Sequence, residues 1–269
     1  ISMCSLIGKA FERTLGWRTI RHLRTFEGGK FNIKSNQYGF YPKRSVNDNL
    51  CMFLNKIMIG LDASENQDVI LLDMSKAFDR LKFNLFLRNL KECGIVGKEH
   101  DLWKSWLTDG RTQRVKVGEC VSEVVNLSSS CVQGSSLGPL AFLILVNPAI
   151  PDEIGVNGKL KTENDESERS SETQKAKFKR IRESIGTIFY ADDCKIYGNA
   201  NKHVELQAEL DRLGQWSLDN EMIFNVSKCE TIHLGNSNPK NVYTLYGQPI
   251  RSVTSTRDCL LYTSDAADE

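Results

Sequence analysis

The chain has no long apolar run. Its longest, residues 140–146, falls far short of the roughly 20 residues needed to cross a bilayer as a helix. It opens without a basic stretch followed by an apolar core, so no secretory signal is expected, and its first residue is Ile1 rather than Met, which suggests a fragment. No two of its cysteines form a C-x-x-C pair: they stand at positions 4, 51, 93, 120, 131, 194, 229 and 259. Free, partly buried thiols in a reducing compartment are the expectation, hence an intracellular protein of cytoplasm or nucleus. The histidines, His22, His100, His203 and His233, are scattered, which removes a His-based metal site. Sequons at Asn126 and Asn225 mean little without a secretory route. A net charge of +1 announces no polyanionic partner.

What is present is ordinary for a globular protein: 40% hydrophobic and 26% charged residues over 269 positions. Collagen-like, mucin-like and wholly disordered chains are excluded, and one large or two small domains are expected. The charge is unevenly spread. Residues 1–60 hold ten bases against three acids, and residues 190–269 twelve acids against seven bases. A basic end suits a polyanion and an acidic end a cation, although random surface charge also accounts for such a bias.

Residues 1–60 read as helical with a break at Gly28-Gly29. Residues 68–73 (D-V-I-L-L-D) are a buried strand ending in an acid. Phe83, Phe86, Leu87 and Leu90 mark a helix stopped near Gly94, and Leu102, Trp103, Trp106 and Leu107 a second. Residues 114–125 read as a hairpin around Gly118-Glu119, and residues 139–146 as a buried helix after a Gly-rich turn. Residues 152–185 hold eight acids and eight bases and read as a solvated insertion. Two β-prone runs, 188–191 and 194–197, flank Asp192-Asp193; Leu206, Leu210 and Leu213 stripe a helix opening at Val204; residues 222–226, 231–234 and 242–246 read as short strands. Without regular βαβ alternation the class is α+β.

Asp73 and the Asp192-Asp193 pair both emerge from very apolar strands. Each has a plain explanation, since Asp is common at strand ends and turns. A fold could instead bring them together at one end of a buried sheet. Three converging carboxylates repel one another unless cations are present, and Mg²⁺ takes oxygen ligands while leaving room for phosphates. Two such ions roughly 4 Å apart can activate a 3′-hydroxyl and stabilise a leaving pyrophosphate.

Several segments carry a family resemblance. Tyr190-Ala191-Asp192-Asp193 resembles the Y/F-x-D-D box of reverse transcriptases, and residues 69–79 (V-I-L-L-D-M-S-K-A-F-D) their first carboxylate motif. Residues 132–140 (V-Q-G-S-S-L-G-P-L) resemble P-Q-G-S-x-L-G-P, residues 37–50 (Q-Y-G-F-Y-P-K-R-S-V-N-D-N-L) the motif Q-x-G-F-x-x-x-R-S, and residues 216–229 the helix-strand motif that follows the D-D box. Order and spacing agree over about residues 1–258, and residues 106–117 (W-L-T-D-G-R-T-Q-R-V-K-V) are similar to polymerases of jockey-like or long-interspersed non-LTR retrotransposons.

The resemblance implies an RNA-directed DNA polymerase with RNA template, DNA primer and dNTPs as partners, no membrane, and two Mg²⁺ ions (Mn²⁺ as the alternative) as cofactors. It implies right-hand fingers, mainly residues 1–67 and about 84–128, and palm, mainly 68–83, 129–151 and 186–250, with the thumb largely missing and 152–185 inserted. Asp73 and Asp192 are implied to bridge the metals, with Asp193 as third acid and the Met74 carbonyl facing a metal. Phe78 is implied to be the steric gate against a ribose 2′-hydroxyl; Gln133 and Gly134 shape the nucleotide and template pocket. Lys228 is implied to protonate pyrophosphate; Arg44, assisted by Lys43, touches the template backbone; Asp79 is structural or sugar-facing. A core Phe and a surface Lys are the plain alternatives for Phe78 and Lys228.

The chain departs from the pattern at Val132, where Pro is usual, and at Tyr41, where Arg is frequent. The family places a basic strand before this point and the chain is expected to begin just inside it, residues 259–269 (C-L-L-Y-T-S-D-A-A-D-E) match nothing in the family and resemble translated adapter sequence, and no endonuclease motif is found. Three rivals stand beside this expectation. An RNA-dependent RNA polymerase shares the palm but not Phe78; a receiver-type phosphoacceptor domain is shorter and orders its Asp residues differently; an inactive fragment or RNA-binding relic would keep the acids without the chemistry.

Overall fold

The computed structural model describes residues 6–25, 33–75, 77–127, 129–131, 134–151 and 185–256. The chain divides into two units, one of Ile1–Ile33, Lys76–Pro148 and Asn220–Met222, the other of Lys34–Ser75, Ala149–Asp219 and Ile223–Glu269. The Gly28-Gly29 break, Gln133, nearly all of the charged insertion and the terminal segment from 257 lie outside the described residues.

The first unit is mostly helical: α1 (Leu6–Thr25), α3 (Phe83–Glu92), α4 (Gly97–Thr108) and α5 (Gly138–Val146). Its core forms where the periodic apolar residues of α3 and α4 meet, with Phe86 and Trp103 rings 5.0 Å apart. The helix α5 is apolar all round, and every residue of it except Pro139 is buried, as a helix with no polar face requires. Pro139 sits in its first turn, where the missing N–H costs nothing. The expected hairpin forms from β3 (Lys116–Val117) and β4 (Cys120–Val121), turning at Gly118-Glu119, and is extended by β2 (Thr112–Gln113) paired with β5 (Val125–Asn126).

The second unit is a five-stranded sheet in the order β11-β8-β1-β7-β6, with β1 (Gln67–Leu72) at its centre, β6 (Gly186–Tyr190), β7 (Asp193–Asn199), β8 (Glu230–Leu234) and β11 (Arg251–Val253). Of the pairs in this sheet, β8–β11 is parallel and the others are antiparallel. Because side chains alternate across a strand, β1 feeds both faces. Val69 packs with Ile188 and Tyr197 against Ile57 of α2 (Val46–Asp62). The opposite face holds Ile70, paired with Ile196, and a second helix packs against β7; this helix, α6 (His203–Asp219), buries Leu206, Leu210 and Leu213. A capping box opens α2: Ser45 Oγ accepts from Asp48 N (3.1 Å) while Asp48 Oδ2 accepts from Ser45 N (2.9 Å).

Two strand expectations fail. Residues 222–226 are not a strand: past the end of β1 there is room for one bridge, Met74 with Phe224, before Asn225 turns the chain by accepting from Ser227 N and Oγ. Residues 242–246 keep only β9 (Thr244–Leu245), which pairs with β10 (Gln248–Pro249). Tyr246 and Gly247 both take positive φ, 53° and 74°, and close that ribbon as a two-residue turn.

Candidate active site

Strand register builds the site. β1 pairs with β7 so that Leu72 faces Cys194, and β7 pairs with β6 so that Tyr190 faces Asp193. Asp73, one residue past β1, and Asp193, the first residue of β7, therefore stand at the same end of neighbouring strands. Ala191 and Asp192 form the two-residue turn between β6 and β7. Main-chain bonds hold Asp73 from the other side, where Asn225 N donates to its carbonyl (2.8 Å) and Ser75 N to Ile223 O (3.0 Å). The 3₁₀ turn Val226–Lys228 then brings Lys228 Nζ to 3.3 Å from Asp73 Oδ1 and 3.5 Å from Oδ2.

Burial dominates the electrostatics of the turn. The Asp192 carboxyl is raised above its ordinary range chiefly by burial. A bond from its own backbone pulls it back, the charge of Asp73 raises it again, and Lys228 lowers it. Asp73 is about one-third exposed, yet its Oδ1 is buried, near the Lys228 ammonium but outside hydrogen-bond geometry. The neighbouring Cys229 thiol is pushed up to about 11, by burial first. Met74 is buried.

The expected meeting of three acids is not realised as a metal cluster. Among the described residues no group of three or more His, Cys, Asp or Glu side chains is arranged to hold an ion. The arrangement is instead Asp73 past the end of β1 and Asp192 in the turn before β7, with the Asp73 carboxylate against Lys228. The donor set still fits a hard divalent cation: two carboxylates, one with a buried oxygen that accepts no hydrogen bond.

Residues 1–258 match the family model described as reverse transcriptase (RNA-dependent DNA polymerase). The chain belongs to this family. It is 25% identical over 159 residues to a probable RNA-directed DNA polymerase from transposon X-element of Drosophila melanogaster, covering 59% of this chain and 17% of that protein. It is 24% identical over 240 residues to the RNA-directed DNA polymerase from mobile element jockey of Drosophila funebris, covering 88% and 23%. It is thus a reverse-transcriptase domain related to those of non-LTR retrotransposons, and it spans less than a quarter of either relative. Its fold resembles apo telomerase from Candida tropicalis truncated from its C-terminal domain, with a TM-score of 0.52, 17% identity and coverage of 91% of this chain and 44% of that one. The described residues form a mixed α/β domain of that general kind.

The other candidate residues of this reverse-transcriptase domain fall in both units. In the first, Phe78 is half-buried and stacks on Phe142, with centroids 4.7 Å apart, and Asp79 is exposed. Gly134 is exposed at φ +76°. In the second, Lys43 is exposed at φ +67°. Arg44 has its Nη1 on main-chain carbonyls: those of Lys34 (3.1 Å), Ser35 (2.8 Å) and Gln37.

Sequence reasoning missed two supports. Glu12 on α1 is buried; its Oε1 accepts from Trp106 Nε1 (3.0 Å) and its Oε2 from Ser136 N (2.6 Å), fastening the segment after Gly134. A lone acid on a basic helix carries no local signal of this. Gln37 and Gly39 lie against the Ala191 turn; the spacing Q-x-G was visible, but not what it touches.

Proposed function

We propose that this domain is the catalytic part of an RNA-directed DNA polymerase, adding deoxynucleotides to a primer 3′-end on an RNA template. The observation that carries this reading is the placement of Asp73 and Asp193 at the same end of neighbouring strands, with Asp192 in the turn beside them and Lys228 against Asp73. Asp73 and Asp192 are the residues that hold Mg²⁺, with Asp193 and the Met74 carbonyl contributing. The bound ions supply charge neutralisation and activation of the primer hydroxyl. Burial raises the Asp192 carboxyl, a cost that a nearby cation would offset, and Asp73 lies beside the Lys228 ammonium. Lys228, beside Asp73, is the general acid for the departing pyrophosphate. Phe78 blocks a ribose 2′-hydroxyl, Gln133 and Gly134 leave space for nucleotide and template, and Lys43 and Arg44 lie along the template strand. Residues 68–83, 129–151 and 186–250 serve as palm and residues 1–67 and 84–128 as fingers.

A second reading, a chain that binds RNA without copying it, is favoured by the lack of a three-acid cluster among the described residues. Primer extension on an RNA template with Mg²⁺ separates the two. The copying reading expects extension that Asp192→Ala reduces to near background, because removing a shared ligand dismantles the site. Extension by Asp192→Ala at a near-normal rate overturns the assignment, and RNA binding with no Mg²⁺-dependent extension favours the second reading.

A further inference from the structure

Ala191, the residue before Asp192, has φ +53°, a left-handed conformation that a β-carbon disfavours. What holds it there comes from more than 140 residues earlier in the chain. Gln37 is fully buried, and its Oε1 accepts from Ala191 N (3.2 Å) and from Gly39 N (2.9 Å). The main chain beside it brackets Phe189: Phe189 N donates to Asn36 O (2.8 Å) and Tyr38 N to Phe189 O (3.0 Å). Asn49 Nδ2, also buried, donates to the same Phe189 carbonyl (3.1 Å). Gly39 lies so close that a β-carbon there would come within 2.2 Å of Ala191 N and 2.8 Å of its Cα. The segment is itself fastened by Arg44. Its Nη1 reaches the carbonyls of Lys34, Ser35 and Gln37, and its guanidinium carbon sits 4.7 Å from the Tyr41 ring centroid and 5.4 Å from that of Tyr38.

We propose that residues 36–49 are a positioning cradle for the acidic turn. Gln37 and Gly39 fix the main chain of Ala191 and so place the Asp192 carboxylate, while Arg44 acts through them. The proposal rests on the reading of Asp192 as a metal-holding carboxylate. A single side-chain carbonyl serves two buried amides, so its removal strands both donors. Groups that orient a ligand from behind matter to a metal site nearly as much as the ligand. On this account the Q-x-G-F-x-x-x-R-S segment influences chemistry from beneath the site, with Arg44 acting through the loop's own carbonyls.

The test uses this chain with two readouts: hydrogen exchange of the Ala191 amide, and Mn²⁺ binding by titration. The variants are Gln37→Leu, Gln37→Glu, Asp192→Asn and Tyr243→Phe. Gln37→Leu is expected to speed exchange at Ala191 by about tenfold, equivalent to about 1.4 kcal/mol, and to weaken Mn²⁺ binding by about tenfold. Gln37→Glu, which keeps the acceptor, is expected to return Ala191 exchange toward the wild-type rate. Tyr243→Phe lowers the melting temperature of the same unit and is expected to move neither. Unchanged Ala191 exchange in Gln37→Leu overturns the cradle, as does equal loosening in Tyr243→Phe. Mn²⁺ binding that is the same in wild type and Asp192→Asn overturns the metal-carboxylate reading, and with it the role of Gln37 toward the metal. That failure is separate, because exchange at Ala191 depends on no metal.

Discussion

Replacing Tyr243 with Phe probes the buried polar lock around Asp68 in the sheet unit. Asp68, on the central strand, is completely buried, and its carboxylate is surrounded by donors. Oδ1 accepts from His233 Nδ1 (2.7 Å) and Asn238 Nδ2 (2.8 Å), and Oδ2 from Tyr243 O–H (2.7 Å) and Asn241 Nδ2 (3.1 Å). A carboxylate offers no proton, so His233 must donate through Nδ1. The substitution removes one hydrogen bond to a buried charge and leaves the ring in place, so no cavity contributes. Such a bond is worth about 1.5–3 kcal/mol. At about 2–4 °C per kcal/mol for a unit of this size, the melting temperature should fall by about 3–12 °C. Burial, and then the bond to Asp68, push the Tyr243 phenol upward. The sign follows: a raised acid contributes stability that is fully present below the unfolded value, about pH 10, and is lost as pH rises beyond it. The gap between wild type and Tyr243→Phe should therefore narrow above about pH 10. Thermal unfolding followed by circular dichroism across pH 7 to 11 measures both effects. A melting temperature unchanged by the substitution, or a gap that stays constant into the alkaline range, refutes the reasoning.

Three further outcomes follow from the same geometry. Asp192→Asn should stabilise the chain at neutral pH: burial raises the Asp192 carboxyl, so its ionisation costs folding free energy as pH climbs from about 4 through the folded value. The gain in melting temperature should vanish in acid, and a loss at pH 7 would contradict it. Among the described cysteines, Cys51 and Cys120 are exposed while Cys93, Cys131, Cys194 and Cys229 are buried. Burial pushes the Cys131 thiol up to about 12 and that of Cys229 to about 11. Brief maleimide treatment near pH 7 should therefore label the first two and spare the other four until denaturant is added, as peptide mass spectrometry can read. Phe78→Ala should let ribonucleotides compete in primer extension if Phe78 is the gate. Because it also removes the stack on Phe142, it should lower the melting temperature; unchanged sugar selectivity counts against the gate.

Much of the architecture is legible in the residues because its causes are local. The apolar run before Asp73, the β-prone runs flanking Asp192-Asp193, the 3.6-residue stripes of α3, α4 and α6 and the turn at Gly118-Glu119 each depend on neighbours a few positions away. The ordered motifs carry the family for the same reason: their spacing survives in the chain whatever its folding. Residues 222–226 show the limit. They have the composition of a strand, but the partner strand has ended by then, so one bridge forms and Asn225 turns the chain away. Local preference does not contain the length of the partner.

By itself, then, the amino-acid order determined the family, the class of the fold and the identities of the acidic residues worth watching. Contact between distant segments decided the rest. It put Lys228 on Asp73, Gln37 beneath Ala191, the Arg44 Nη1 on the loop's own carbonyls, and four donors from β8 and the segment after it around Asp68. Each of these is a polar group whose partner is chosen by strand register and loop closure, and neither quantity is written in any short stretch of sequence.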